Sequence, residues 1–556
     1  MGGDREKILR NISDDLVAGV RDNAARRAIL ALLRVVEIDA ETIRQLKEEV
    51  QRLRDENNRL KGEQGKPNIR PKNKNKSRDV SSERERKEKK GNRNRTRGSK
   101  KDQVKVDRTE VCELDRNQLP ADAEFKDYAE VTVQDLIIAT DNVLFRKKIY
   151  YSKSENKTYT ALVPAGYEGG YGPNIKAMVL MLKSACNMSE SKILDFLHNS
   201  KIIISAGTVS NMLIKNKEEF HEEKEQIVRA GLEATIYQQI DDTSARVNGE
   251  NQYTQILCNP YYTAYFTFEH KNRLTILEIL RTGKEEGGRG LKYIFNDEAF
   301  GILRQLRVAK KIIDELGRFK SEKELCKEEI EQLLSEHFPF LNEIARTRIL
   351  EATAIASYHQ EEDYPVIPIL LCDDAPQFKL LTEYLALCWV HEGRHYKKLS
   401  PVVPYNVRRL GGFITRYWEY YRKLLGYKRA PSQEQSACLS EEFDRLFFTE
   451  TGYDALDERI AKTKAKKENM LLVLKYPELP LHNNASELAA RQQARKRDVS
   501  LHTIVPDGTR ANDTFLSIVE TCKKLGINCY DYFLDRISRL SLIPPLADMI
   551  TAKSTS

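Results

Sequence analysis

"YPVIPILLCDDAPQF", residues 364–378, is the stretch whose reading decides the fold. Its apolar residues run without alternation over a length short for a helix and bounded by prolines, so it reads as a strand buried on both faces. A strand covered on both sides sits inside a sheet flanked by helices, which sets the fold class as α/β. The strand ends abruptly in two acids, Asp373 and Asp374.

Working upstream, "EATIYQQIDDTSARVNG" (233–249), "NQYTQILCN" (251–259) and "YYTAYFTFEH" (261–270) are three β-rich runs joined by Gly, Asn and Pro turns, an antiparallel meander. The first is expected to end at Asp241. Residues 296–360 are charged and helical and are expected to be an insertion, as are the helical residues 401–476. Downstream, "LALCWVHEGRHYKKL" (385–399) leads into these, and "LPLHNNASELAARQQARKR" (479–497) follows them. On a helix, Asn483 or Asn484, Glu487 and Arg491 share a face. Glu487 is the one acid between paired asparagines and the bases Arg491, Arg495, Lys496 and Arg497.

Three acids thus stand on regular elements: Asp241, Asp373 and Glu487. Carboxylates held close raise one another's pKa unless a cation joins them. Oxygen ligands suit Mg²⁺, which takes one or two carboxylates and leaves positions for water and phosphate. Strand alternation lets one member of Asp241/Asp242 and one of Asp373/Asp374 face a given site. Cys388 and His391 form a Cys-x-x-His pair, but two ligands are not a zinc site, and no second pair has suitable spacing.

The chain has 556 residues with 40% hydrophobic and 31% charged, enough for several domains. Its longest apolar runs fall short of a membrane span and the N-terminus lacks an apolar signal core, so a cytoplasmic protein with no membrane partner is expected. Nine cysteines without a C-x-x-C pair agree with reduced thiols. The net charge of +8 is uneven: residues 66–101 hold 16 Lys/Arg against 4 Asp/Glu, leaving the remainder net acidic. Such a segment cannot bury enough apolar surface to fold, and it binds polyanions through counterion release.

The N-terminal region reads as helical from residue 5. Ile43, Leu46, Val50, Leu53, Asn57 and Leu60 then step by threes and fours, an a/d seam whose Asn57 favours two strands. A homodimer or higher assembly is expected. Residues 111–171 carry β-branched runs, read as a few short strands closed by "GYEGGYGP". Three helices follow between 174 and 220, with Ser189 and Ser205 as N-caps, and the last two resemble a helix-turn-helix. That pattern puts Thr208, Ser210, Asn211 and Lys215 near a DNA groove.

"IDDTSARVNG", "LLCDDAPQF", "CWVHEGRHYKKL" and "NNASELAARQQARKR" occur in that order, and the set resembles the insertion-sequence 66 family of Asp-Asp-Glu transposases. The resemblance runs from about residue 174 to about 535. It implies a ribonuclease-H-like mixed sheet with helical insertions, preceded by a helical region and an N-terminal coiled coil. It implies Asp241, Asp373 and Glu487 as ligands of two Mg²⁺ ions, Mn²⁺ being able to substitute, with His391 facing them as a further catalytic residue. DNA phosphates would meet Arg394, Lys397, Arg491, Arg495, Lys496 and Arg497. The family often carries a cysteine-based zinc finger ahead of the core; Cys112 stands alone here, so no zinc is expected. Leu488 follows Glu487 where the family has Arg, and Arg491 is placed to supply that charge.

The implied layout is helices and coiled coil at 1–62, a basic linker at 63–110, a β-rich region at 111–171, a DNA-binding helical region at 172–230, the catalytic core at 231–500 and C-terminal helices at 501–556. The implied function is transposition of an insertion sequence, with DNA as element end and as target. A ribonuclease-H-like nuclease without strand transfer, or a non-catalytic transposase-derived DNA-binding protein, are the alternatives.

Overall fold

A computed structural model describes residues 20, 22–60, 104–114, 125–282 and 290–555. The basic run at 66–101 and the helical reading of residues 5–19 lie outside the described residues.

Helix α1 spans Asn23–Leu60, and the Asp22 carboxylate caps it by accepting from the Ala24 N–H at 2.9 Å. Its first half is seated. Leu33 packs with Val403 and Tyr405, and the Glu37 carboxylate accepts from the N–H groups of Val402 and Val403 and from Asn406 Nδ2. Its second half is not: Ile43, Leu46, Val50 and Leu53, the expected seam, are exposed by 41–59%.

Residues 125–148 have no strand, and one hairpin, β1 (Ile149–Ser152) with β2 (Lys157–Thr160), stands where several strands are expected. β-branched residues favour a strand only when a neighbour supplies a ladder and a face to pack on; Val131, Val133, Leu136 and Ile137 have neither and lie open to solvent.

The helices α2 (Pro173–Ser184), α3 (Glu190–Asn199), α4 (Ala206–Ile214) and α5 (Glu218–Glu233) follow. Ser189 and Ser205 cap α3 and α4, accepting from the N–H groups of Lys192 and Thr208 as their spacing predicts.

The meander is β3 (Tyr237–Val247), β4 (Glu250–Cys258) and β5 (Thr263–Phe268). Asn248 and Gly249 both take positive φ, the backbone that a tight hairpin between β3 and β4 demands. Then come α6 (Arg273–Leu280), β6 (Tyr293–Phe295), α7 (Asp297–Gln305), α8 (Lys310–Leu316), β7 (Ser321–Leu325), α9 (Lys327–His337) and α10 (Glu343–His359). The expected insertion is therefore not purely helical, since β6 and β7 pair. Nor is α10 peripheral. It buries residues on every side, from Ala345 to Tyr358, and so lacks the amphipathic stripe of a surface helix.

The decisive stretch forms β8 (Ile369–Cys372), buried at all four residues, and β9 (Tyr384–Leu387) follows. The sheet order is β5–β4–β3–β8–β9, with β3, β4 and β5 antiparallel and β3, β8 and β9 parallel. The fold is a mixed α/β structure. Helices α11 (Trp389–Lys398), α12 (Pro404–Arg429), α13 (Gln433–Phe447), α14 (Asp454–Lys464) and α15 (Lys467–Met470) form the next layer. The chain closes with α16 (Asn484–Ser500), α17 (Pro506–Leu525), α18 (Cys529–Ser538) and α19 (Leu546–Ser554). The C-terminal helices return to the first ones: α18 packs on α2 and α19 on α5. A single buried cluster accordingly runs from Ala177 to Ile550, across the boundaries expected at 230 and 500.

Candidate active site

Asp241 does not end its strand, as the sequence suggests. β3 continues to Val247 because β4 pairs with it from Gln239 to its end, while its other neighbour, β8, stops at Cys372. Asp241 therefore sits where the sheet loses its parallel partner and one side of β3 opens.

The parallel register sets Tyr237 beside Ile369 and Gln239 beside Leu371. Two residues further at the same offset, Asp373 comes beside Asp241, on the same face by strand alternation. Burial pushes the Asp241 carboxyl up to about 7, and the negative charges of Asp373 and Glu487 add to that. The neighbouring acids are occupied elsewhere. Asp242 takes Lys271 at 3.2 Å and accepts from Gln377. Asp374 takes Lys466 at 2.5 Å and Lys379 at 3.1 Å. Burial works to raise the Asp374 carboxyl, but those ammonium hydrogen bonds outweigh it and hold it below the ordinary value. Among the described residues, neither Asp241 nor Asp373 has an ion-pair partner, in contrast to Asp242 and Asp374.

Glu487 lies in the first turn of α16. Asn483 positions it. That residue is wholly buried; its Nδ2 donates to the Ile240 carbonyl at 2.7 Å, its Oδ1 accepts from Ser486, and its N–H meets Cys388 Sγ. The start of α16 is thus pinned to β3 one residue before Asp241, and to the turn into α11.

That turn is equally fixed. The Trp389 N–H donates to the Leu481 carbonyl and its indole N–H to Met470, while its own carbonyl accepts from the Tyr417 hydroxyl. A Cβ on Gly393 would come within 2.7 Å of the Trp418 ring, so glycine is what lets α11 lie against α12. The Cys-Trp-x-His stretch so held delivers two side chains to Glu487. Arg394 Nη2 is 3.0 Å from Oε2 and His391 Nε2 is 3.6 Å from Oε1, too long for a hydrogen bond. Arg491 Nη2 reaches within 3.9 Å of Oε2. Burial lowers the His391 pKa despite the acids around it, which favours the neutral ring. Glu487 Oε1 is buried without a hydrogen-bond partner.

The donor chemistry here, carboxylate oxygens of Asp241, Asp373 and Glu487 near one another, with burial and the neighbouring charges raising the Asp241 carboxyl, fits a hard divalent cation. The side-chain arrangement holds Glu487 on Arg394 instead, and no group of three His, Cys, Asp or Glu among the described residues is set to hold a metal ion.

The basic run divides between two faces of α16. Arg491 and Arg495 are exposed, but Lys496 is 5% exposed, a correction to its expected place on a DNA surface. The cause is helical periodicity: Ala489, Gln493 and Lys496 step by four and three and all turn inward. Burial pushes the Lys496 ammonium down to about 7. Arg497 is also committed, donating to the Ser244 carbonyl and hydroxyl on β3. Lys397 lies 5.4 Å over the Trp418 ring. On α4, Thr208 is engaged with the Ser205 cap and Ser210 is half-buried, whereas Asn211 and Lys215 are exposed.

Two features were not read from the sequence. One is the role of Asn483 as a link between α16 and β3. The other is a polar stripe on α17: Asp513, Ser517 and Thr521, four residues apart, accept from the N–H groups of Thr267, Tyr265 and Thr263 on the edge strand β5. Their spacing along one helix face was the available signal.

Comparison with known proteins bears on the same region. The family model described as transposase IS66 family matches residues 321–511. The match includes Asp373, His391, Arg394 and Glu487 and leaves Asp241 outside. A protein of Sinorhizobium fredii, named uncharacterized protein y4jO, is 32% identical over 339 residues, covering 59% of this chain and 100% of that protein.

Proposed function

The chain belongs to the transposase IS66 family, and on that premise we propose that it cuts the ends of its mobile element and joins them to target DNA at one ribonuclease-H-like site. The observation that carries the reading is the pair Asp241 and Asp373: two half-buried carboxylates brought side by side by the parallel register of β3 and β8, the Asp241 carboxyl raised in pKa by burial and by the Asp373 charge, with no cationic partner among the described residues.

Asp241, Asp373 and Glu487 would hold Mg²⁺ or Mn²⁺. When bound, such ions supply an activated water and stabilise the leaving oxygen of an in-line phosphoryl displacement. For Glu487 to join the aspartates, Arg394 must release it. A scissile phosphate is the natural competitor for that guanidinium, so substrate entry would free Glu487 and hold Arg394 on the phosphate. A neutral His391 beside them can donate a hydrogen bond to a phosphate oxygen. Arg491 and Arg495, exposed on the outer face of α16, would follow the backbone, and Asn211 and Lys215 on α4 would meet DNA further out. The exposed half of α1 would pair two chains on two element ends.

The test is a labelled element end incubated with full-length protein, target DNA and Mg²⁺. The expected result is 3′-end cutting followed by transfer of label into the target. Asp241→Asn, Asp373→Asn and Glu487→Gln should each abolish both steps. Cutting without transfer would establish the nuclease instead. Activity that survives all three changes would remove the site from the chemistry.

A further inference from the structure

Lys496 ends in a cavity of about 340 Å³ on the far side of α16 from Arg491 and Arg495. Four parts of the chain enclose it: the end of α2, the inner face of α4, the last residues of β3, and the turn from α16 into α17. The turn is held firmly. Thr503 bridges to β3, taking an N–H from Asn248 and giving its own to Arg246. Leu501 adopts a positive φ to make the bend.

The charged residues lining the space are mostly positive: Lys183, Arg246, Lys496 and Arg497 against Glu190. Lys496 Nζ is buried and has no hydrogen-bond partner. A buried ammonium without an acceptor is costly; the Asp513 carboxylate attracts it through space but is itself bound to Thr267. Lys183 enters from α2, 18% exposed, with Nζ 3.5 Å from Ser500 Oγ and 3.5 Å from the carboxylate of Glu190. Glu190 is 43% exposed at that position and offsets Lys183 only from the rim. The first turn of α17 also borders the space through Gly508 and Thr509, and Val505 gives that 20-residue helix no side-chain cap. Its leading N–H groups add partial positive charge. Two ammonium groups and an uncapped helix start, converging on a cavity larger than a water needs, form a receptor for an anion.

We propose that this cavity binds a phosphate group between Lys496, Lys183 and the start of α17, and that the bound phosphate ties the helices α2 and α4 to the sheet. A tetrahedral dianion matches two ammonium groups in charge and takes several donors at once. The group is either free phosphate or a phosphate of a DNA backbone. The site is separate from the carboxylates around Asp241 and does not depend on their chemistry.

The experiment is equilibrium dialysis of the full chain against radiolabelled inorganic phosphate, with and without a short DNA duplex. Saturable binding of one phosphate per chain is expected. Lys496→Met should weaken it at least about tenfold, a loss of about 1.4 kcal/mol, and Lys183→Gln should weaken it severalfold. If Lys496→Met does not fold, Lys183→Gln carries the test alone. Displacement of phosphate by the duplex identifies a backbone phosphate as the ligand; retention beside bound duplex identifies the free ion. No saturable binding by the wild type, or binding unchanged by these substitutions, overturns the proposal. None of these readings requires DNA cleavage, so the outcome is independent of whether the chain is an active transposase.

Discussion

At Asp241 a single position shows how strand register makes chemistry. The residue is stable as a neutral acid and costly as an anion, because burial and the neighbouring carboxylates of Asp373, Glu487 and Asp242 oppose its charge. Its folded value, about 7, lies above the ordinary 3.8. Ionisation therefore erodes stability as pH rises from near the ordinary value through about 7, and the whole cost is present above that. Asp241→Asn should stabilise the metal-free protein on the order of 1 kcal/mol at pH 8 and much less near pH 4, measured by chemical denaturation at both. The same change should lower strand cleavage by at least about 10³-fold, roughly 4 kcal/mol in barrier. A variant that is no more stable at pH 8 than the wild type would show that the carboxylate is not desolvated. Asn483 is the second decisive residue. Asn483→Ala strips hydrogen bonds at a fully buried site and leaves the Ile240 carbonyl without its donor. It should cost about 1–3 kcal/mol of unfolding free energy, measured by chemical denaturation, and slow cleavage by releasing Glu487 from its place beside β3.

Elements explain why such residues can be so exposed to error. Edge strand β5 would present a row of unpaired N–H groups, a ready template for another chain. Helix α17 prevents this by carrying its own acceptors at successive turns, Asp513, Ser517 and Thr521. Ser517→Ala removes the acceptor for the Tyr265 N–H with almost no change of volume. It should destabilise by about 1–3 kcal/mol, and hydrogen exchange at Tyr265 should rise selectively. Unchanged protection at that amide would mean that another acceptor replaces the hydroxyl. The α16 helix makes the complementary point. Its basic run looks uniform in sequence, yet one turn divides it into outward Arg491 and Arg495 and inward Lys496.

In the whole molecule, α1 joins two parts with different tasks. Its first half is bound to the start of α12 through Leu33 and Glu37, while its second half leaves an apolar seam without cover. The three- and four-residue steps of that seam are those of a coiled coil, so a second copy of the chain is its proposed cover. Leu46→Lys combined with Leu53→Lys should convert a dimer to a monomer in light scattering while leaving the thermal unfolding of the core nearly unchanged. A wild type that is monomeric at micromolar concentration would remove α1 as the pairing element.

Much of this was legible in the chain itself. Continuous apolarity marked β8 as buried, serines marked the starts of α3 and α4, and Asn248-Gly249 marked a hairpin, because each signal acts over a few neighbouring residues. Side-chain chemistry and order likewise singled out Asp241, Asp373 and Glu487 as the candidate ligands of the proposed site. Tertiary structure decided the rest. The sequence could not show that Asp242 and Asp374 are the members of their pairs that take ion-pair partners, since Lys271, Lys379 and Lys466 arrive from distant elements. It could not show that Lys496 faces a cavity, that α10 belongs to the core, or that a helix would cap the edge of β5. Local rules set what each segment can be; only packing, through contacts between residues hundreds of positions apart, selects which face of each one meets water, protein or ligand.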